Sequence, residues 1–304
     1  MGGVSSLSPL LASKLSGYVS DGRSCLFRNY SFGIAPSLNF ISTDVFYAKL
    51  EMITLMKKPL GFILCFFCSL TFSQMPTNLE EALNSPSRPV ADQERDQNRN
   101  PTAVLNFLGV ESGDNILDVI AMGGWYSEVL SLASGPLGKV YMHNNPIPIT
   151  ERTTNERAER ASRLENLVDY VGRIGSLPEN SVDFAITALN FHDVYNRSPD
   201  EANQLLTDIY NTLKPGGVLG IIDHKGSEGL DNVALHRITF EDAVEASVRA
   251  GFVLTGTSRI LENSNDDHVL PPFDSSLERN TDRLILRLEK PIQPPVSHQK
   301  NTIP

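Results

Sequence analysis

Cysteine is missing from everything beyond residue 68: Cys25, Cys65 and Cys68 are the only three. The remainder therefore has no disulfide framework and no thiolate for metal binding or nucleophilic attack. Clustered basic charge is also missing. The formal net charge is −10, and no Lys/Arg run interrupts the presumed folded part. Nucleic acid is thus excluded as the main partner, since phosphate binding needs grouped positive charge. There is no internal repeat, and neither HxH nor HExxH spacing occurs. What is present is a chain of 304 residues with 40% hydrophobic content, enough to bury one good-sized core.

The cysteine pair Cys65-Phe-Phe-Cys68 has redox-motif spacing, but it lies inside the apolar run Pro59 to Phe72, directly after Met56-Lys57-Lys58. A basic start, a short apolar stretch and small or polar residues at Thr71 and Ser73 read as a secretory signal over 56–73. The run is short for a membrane span, so no stable span is expected once the signal is removed. Residues 1–55 read as an upstream extension, untranslated or disordered, with a transit peptide and a Met1-Gly2 myristoylation pattern as weaker readings. Segment 74–108 reads as helical, 109–290 as an α/β domain, and the Pro/Gln/Ser-rich 291–304 as a disordered tail.

The most informative stretch runs from Asn115 to Ala133. A buried strand (Ile116–Ile120), a tight Met122-Gly123-Gly124 turn and an amphipathic helix (Trp125–Ala133) form the opening unit of a doubly wound sheet. Strands follow at Lys139–His143, Leu167–Val171, Val182–Leu189, Val218–Ile222, Phe252–Ile260 and Leu284–Glu289. Helices are expected over Thr150–Asn166, Pro199–Leu213 and Thr239–Ala250. Before the sheet, 77–108 predicts two short helices, with Pro101 opening the second. Arg88, Asp92, Arg95, Asp96 and Arg99 recur at helical spacing there. They predict a salt-bridged face, with a charged lid as the alternative. The alternation implies a Rossmann-like, mostly parallel sheet, and the last two strands, which have no helix between them, imply one antiparallel strand near an edge. The polar loop Asn263–Asp282 is long enough to suggest a role of its own.

The element order, Leu213-Lys-Pro-Gly-Gly217 and the helix-free last strand pair resemble class I S-adenosylmethionine-dependent methyltransferases. An exported bacterial subgroup of predicted methyltransferases is resembled more narrowly. The segments concerned are Arg88 to Pro101, Leu189-Asn-Phe-His-Asp-Val-Tyr195, Ile222-Asp-His224, Leu235-His-Arg-Ile238 and Thr281-Asp-Arg-Leu-Ile-Leu286, and together the likeness covers about 86–291. It implies S-adenosyl-L-methionine as cofactor, with Ala121, Met122, Gly123 and Gly124 cradling its methionine part above Asp118. The end of strand 2, His143-Asn144, would hold the ribose, and the loop near Ser176 would flank the adenine, with Asn190 at the strand 4 end. Two departures stand out. Ile120 and Met122 replace glycines of the common pattern, and strand 2 ends without the usual carboxylate.

Methyl transfer is an in-line displacement that needs a positioned nucleophile and, where that nucleophile carries a proton, a base. His192 is the first candidate and Asp193 the second, both after strand 4. Asp223 and His224 rank lower, and with His236 they form a minor metal-site reading. Three functions follow: a methyltransferase acting on a small molecule or envelope component, a non-catalytic exported binding protein of the same fold, and a metal-dependent hydrolase. The sequence does not fix the oligomeric state.

Overall fold

The structure, a computed structural model, describes residues 79–146 and 150–292. The presumed signal, the upstream extension and the tail beyond 292 lie outside the described residues. Three short helices precede the sheet, α1 (Leu79–Leu83), α2 (Val90–Arg99) and α3 (Pro101–Leu108). Two had been expected, with Pro101 opening the second; the extra break falls between α1 and α2, where Pro86 and Pro89 interrupt the helix. The expected break is made at Asn100, whose left-handed backbone (φ 39°) ends α2 before Pro101 starts α3.

Strand β1 (Asn115–Val119) feeds α4 (Trp125–Ser134), and β2 (Lys139–Asn144) feeds α5 (Glu151–Arg163). Then come β3 (Leu167–Val171), β4 (Val182–Ala188), α6 (Phe191–Arg197), α7 (Pro199–Thr212), β5 (Leu213–His224), α8 (Phe240–Arg249), β6 (Val253–Thr257) and β7 (Arg283–Glu289). The sheet order is β3-β2-β1-β4-β5-β7-β6. Strands β1 to β5 are parallel, and β7 inserts antiparallel between β5 and β6. This is a Rossmann-like α/β fold. Its order reverses between β1 and β4, so a crevice opens at their C-terminal ends. Because β7 runs the other way, its first residue reaches that same rim: Arg283 pairs with His224, the last residue of β5.

Both faces of the sheet are covered, so the strands are apolar on either side. Ile116, Phe184 and Ile222 pack on one face with Leu105, Leu108, Val129 and Leu130 from α3 and α4. Leu117, Ala185 and Ile221 pack on the other with Leu206, Ile209 and Ala243 from α7 and α8. Among the described residues no helix is long and apolar enough to cross a membrane.

The Arg/Asp face of α2 keeps one pair along the helix, Arg95 with Asp92 at 3.3 Å, but its other charges reach beyond it. Arg88 bonds Asp96, and Asp92 meets Arg160 of α5. Glu128 of α4, fully buried, lies 2.9 Å from Arg163 and 3.3 Å from Arg160. Charges that look solvated in sequence thus lock α2 to α4 and α5, while Arg95 and Arg99 are left pointing at the crevice.

Candidate functional site

A cleft of about 500 Å³ lies over the end of β1, within the roughly 300–1,000 Å³ range of small-molecule sites. Asp118, Ile120, Ala121, Met122, Gly123 and Gly124 form its floor. Arg95, Arg99, Trp125 and Tyr126 close one side, Thr150, Thr153 and Glu156 another, and Asn190 a third. Of the residues expected to touch a cofactor, Asp118, Ala121 to Gly124 and Asn190 are brought together here.

The turn keeps a glycine-loop backbone without all its glycines. Ile120 and Met122 have φ of 54° and 52°, and Gly124 has 82°. The left-handed region costs a side-chain-bearing residue roughly 1–2 kcal/mol, and a β-branched residue is a rare occupant. Strong bracing holds the loop in it. His143 Nδ1 accepts the Ile120 N–H at 3.2 Å, while its Nε2 donates to the Gly172 carbonyl. The Asn144 amide accepts the Met122 N–H at 2.9 Å and donates back to the Met122 carbonyl at 3.2 Å. Asn190 donates to the Ile120 carbonyl at 3.0 Å and accepts from Thr187. The Met122 side chain is 49% exposed and lies on the cleft wall rather than filling the cleft. Gly124 has no room for a side chain, since a Cβ would meet Met142 Sδ at 2.3 Å.

Two expectations shift accordingly. His143 and Asn144, expected to hold the ribose, are buried behind the turn and do not line the cleft; their side chains bond back to the loop. Burial also drives the His143 ring down to about 4, so it stays neutral. Ser176 is exposed in a short 3-10 turn after the edge strand β3, away from the cleft wall. A carboxylate that sequence reasoning missed does line the cleft. Glu156 reaches over from α5, and its Oε2 would stand 2.0 Å from a Cβ at Gly123. On a helix as polar as Thr150–Asn166, a glutamate reads as solvated, and the sequence carries no signal to the contrary.

Asp118 is fully buried and accepts the Ser127 hydroxyl at 2.5 Å. Desolvation pushes its carboxyl up to about 7, against the lowering pull of that hydrogen bond. Arg99 faces it across the cleft, its guanidinium 4.5 Å above the Trp125 ring.

The strand 4 residues were expected on a loop but form α6, with Asn190 at its N-cap position. His192 is consequently 3% exposed and lines none of the clefts at the rim. Its backbone N–H and its Nδ1 both donate to Asp223 at 2.7 Å, and its Nε2 faces Asp193 at 3.2 Å. Burial opposes its charge, but the two aspartates together overcome that and raise it to about 9. Asp193 is held down at about 2, chiefly by His192, and also accepts from His236 at 3.0 Å. Among the described residues the three groups that gather within 4.8 Å are His192, Asp193 and His236, instead of the Asp223, His224 and His236 set expected for a metal.

A pH dependence follows. A histidine whose folded pKa of about 9 exceeds its ordinary value contributes stability that is complete below pH ~6.5 and is lost as pH rises through 9. Urea unfolding of the wild type and of His192→Gln across pH 6–10 should therefore converge toward high pH. Parallel curves would show that the ring carries no such charge.

His224, ranked lower in sequence, is the histidine that faces a second opening. This pocket, of about 750 Å³, shares Arg95, Arg99, Arg152 and Leu189 with the first, and is also walled by Arg279 and Arg283. His224 Nδ1 pairs with the Thr281 hydroxyl at 2.6 Å. Burial, then the nearby cations His192 and Arg283, hold the ring far down, at about 2. The long loop that supplies Pro272, Glu278 and Arg279 to this pocket is fixed by Arg237. That side chain is fully buried, makes a bidentate pair with Asp266 (3.0 and 2.9 Å) and donates to the Leu270 and Lys225 carbonyls.

No protein-family profile matches the chain, and no curated protein sequence does. Among solved structures it is similar to a SAM-dependent methyltransferase from Aquifex aeolicus, at 22% identity over 71% of this chain and 99% of that one, with a TM-score of 0.49. It is also similar to geranyl diphosphate C-methyltransferase from Streptomyces coelicolor (13% identity, 69% and 87% covered, TM-score 0.49). A third is an arsenic(III) S-adenosylmethionine methyltransferase from Chlamydomonas reinhardtii (17%, 73% and 76%, TM-score 0.46). At such identities a likeness concerns the fold and not the reaction.

Proposed function

We propose that the chain is an S-adenosylmethionine-dependent methyltransferase acting on a small molecule or an envelope component. One observation carries the reading: a ligand-sized cleft at the β1–β4 switch point, floored by a buried carboxylate and a left-handed glycine turn. The residues present fit the cofactor in two respects. Asp118 suits an ammonium, and Glu156 offers the acceptor for hydroxyls that the end of β2 does not, while the space a side chain would take at Gly123 and Gly124 is filled by Glu156 and Met142. They fit less well at the turn amides. The N–H groups of Ile120, Ala121, Met122 and Gly124 are all engaged within the protein, which leaves that of Gly123 free among the described residues.

When bound, the cofactor supplies an electrophilic methyl group on sulfur. The chain contributes position and exclusion of water. Trp125, Tyr126 and Arg99 wall the cleft beside Asp118, and Leu189 and Arg99 stand where the cleft meets the second pocket. His224, held neutral on that pocket, offers an acceptor for a hydrogen bond that orients an incoming hydroxyl or amine. His192 and Asp193 act behind it as a positioning pair through Asp223, which accepts from the backbone N–H of both His192 and His224.

Calorimetry of the full chain with S-adenosylmethionine tests the reading. Binding tighter than about 1 mM is expected. No heat together with no thermal shift would remove it. Met122→Gly should tighten binding by roughly 5-fold, about 1 kcal/mol, by clearing a side chain from the cleft wall. Unchanged affinity would show that the thioether is already out of the way. A non-catalytic binding protein is the second reading, favoured by His143 and Asn144 bracing the loop instead of facing a ligand. Export through the segment beginning at Met56 is part of the same proposal.

A further inference from the structure

We infer that the second pocket takes an anionic small molecule, one bearing a carboxylate or phosphate group, and that this is the methyl acceptor. The term acceptor rests on the methyltransferase reading, whereas the anion does not. The argument starts from topology. An antiparallel β7 carries Arg283 to the ligand rim beside His224, where a parallel strand would have started at the far edge. There Arg283 is 4% exposed, and its donors go only to the carbonyls of Asn98 (2.6 Å) and Arg279 (2.8 Å) and to the Thr281 hydroxyl (3.4 Å). Among the described residues no carboxylate lies within ion-pair distance of it.

Arg99 lines the same pocket and, among the described residues, has neither a hydrogen bond nor an ion pair; it only stacks on Trp125 and Tyr126. Arg279 is exposed and its side chain is likewise unpaired among those residues. The other two arginines at the pocket are partly compensated, Arg95 by Asp92 at 3.3 Å and Arg152 by Glu156 at 2.8 Å. Its acidic wall residues, Glu94 and Glu278, are exposed and pair with none of the five arginines.

Of the five, Arg99 and Arg283 are the two held largely out of water, and neither has an ion-pair partner among the described residues; buried cations without counter-charges repel one another and lose hydration, and a bound anion would supply the missing charge. Burial already lowers Arg99 to about 10, and Arg283 adds to that. Planar guanidiniums match carboxylate and phosphate oxygens by forked hydrogen bonding. The concentration runs against the chain's net charge of −10, so it is not a by-product of general basicity. An anion here would also offset part of the pull of Arg283 and Arg99 on His224, whose charge is opposed first by burial.

The test is calorimetry of the full chain with inorganic phosphate at low ionic strength, with and without saturating S-adenosylhomocysteine. One phosphate per chain is expected, at millimolar affinity or tighter, retained when the homocysteine compound is present. Arg99→Gln should weaken it at least 5-fold and Arg279→Gln by a smaller factor, with circular dichroism confirming the fold of both. Absence of phosphate binding, or no change in Arg99→Gln, overturns the inference. Competition by S-adenosylhomocysteine overturns it too, because the arginines would then hold the cofactor's own carboxylate. Phosphate binding without any binding of S-adenosylhomocysteine would instead remove the methyltransferase reading and leave the anion site standing.

Discussion

Arg237→Met should lower unfolding stability by about 3–5 kcal/mol, the cost of leaving a buried charge without its partner. Arg237 and Asp266 are both fully enclosed at the side chain, and the arginine also satisfies the Leu270 and Lys225 carbonyls. Asp266 in turn accepts the Asp282 N–H at 2.7 Å, so the loss spreads along the loop from both ends. Urea denaturation at pH 7 measures it. The double variant Arg237→Met/Asp266→Leu should recover part of the loss, because it removes the stranded carboxylate. A single-variant loss under about 1 kcal/mol would mean that water reaches the pair and that the loop is held by something else.

Asp118→Asn is expected to weaken S-adenosylmethionine binding by roughly 10- to 150-fold, from the ~1.5–3 kcal/mol carried by a charged hydrogen bond. The side chain is isosteric, so the Ser127 contact and the fold should survive. The wild type should add a pH signature. Asp118 titrates at about 7 because it is desolvated, and an ammonium prefers the ionised form. Affinity should therefore fall, by up to about tenfold per unit, as pH drops below 7, and level off above it. In Asp118→Asn that dependence should vanish. Equal affinity in both proteins, or a flat wild-type profile, would show that the carboxyl belongs to the core and not to the site.

Much of the fold was legible because strand, glycine turn and helix alternate with clear changes of period. The helix-free pair at the end correctly signalled the antiparallel β7. Helix α6 was not legible: it is two turns long, its cap position Asn190 makes no capping bond, and Phe191-His-Asp-Val reads equally as loop. Its formation buries His192 and leaves His224 as the histidine that lines the pocket. The site divides in the same way. Asp118, Gly123 and Gly124 follow from strand position and turn chemistry. Which way His143 and Asn144 point depends on Ile120 and Met122, whose strained backbone recruits them, and that relation spans more than twenty residues. Arg283 could have been noticed as a charged residue opening an otherwise buried strand.

Because three side chains from the ends of two strands, β2 and β4, tie down the turn at 120–124, the floor of the cleft is rigid before any ligand arrives. Association there should need no ordering of main chain, so its entropic penalty is small and its rate is set by diffusion through the opening. Tolerance of bulky residues in place of glycine is then a matter of scaffolding outside the turn. The same chain could lose another of its glycines only if a further neighbour took over the load.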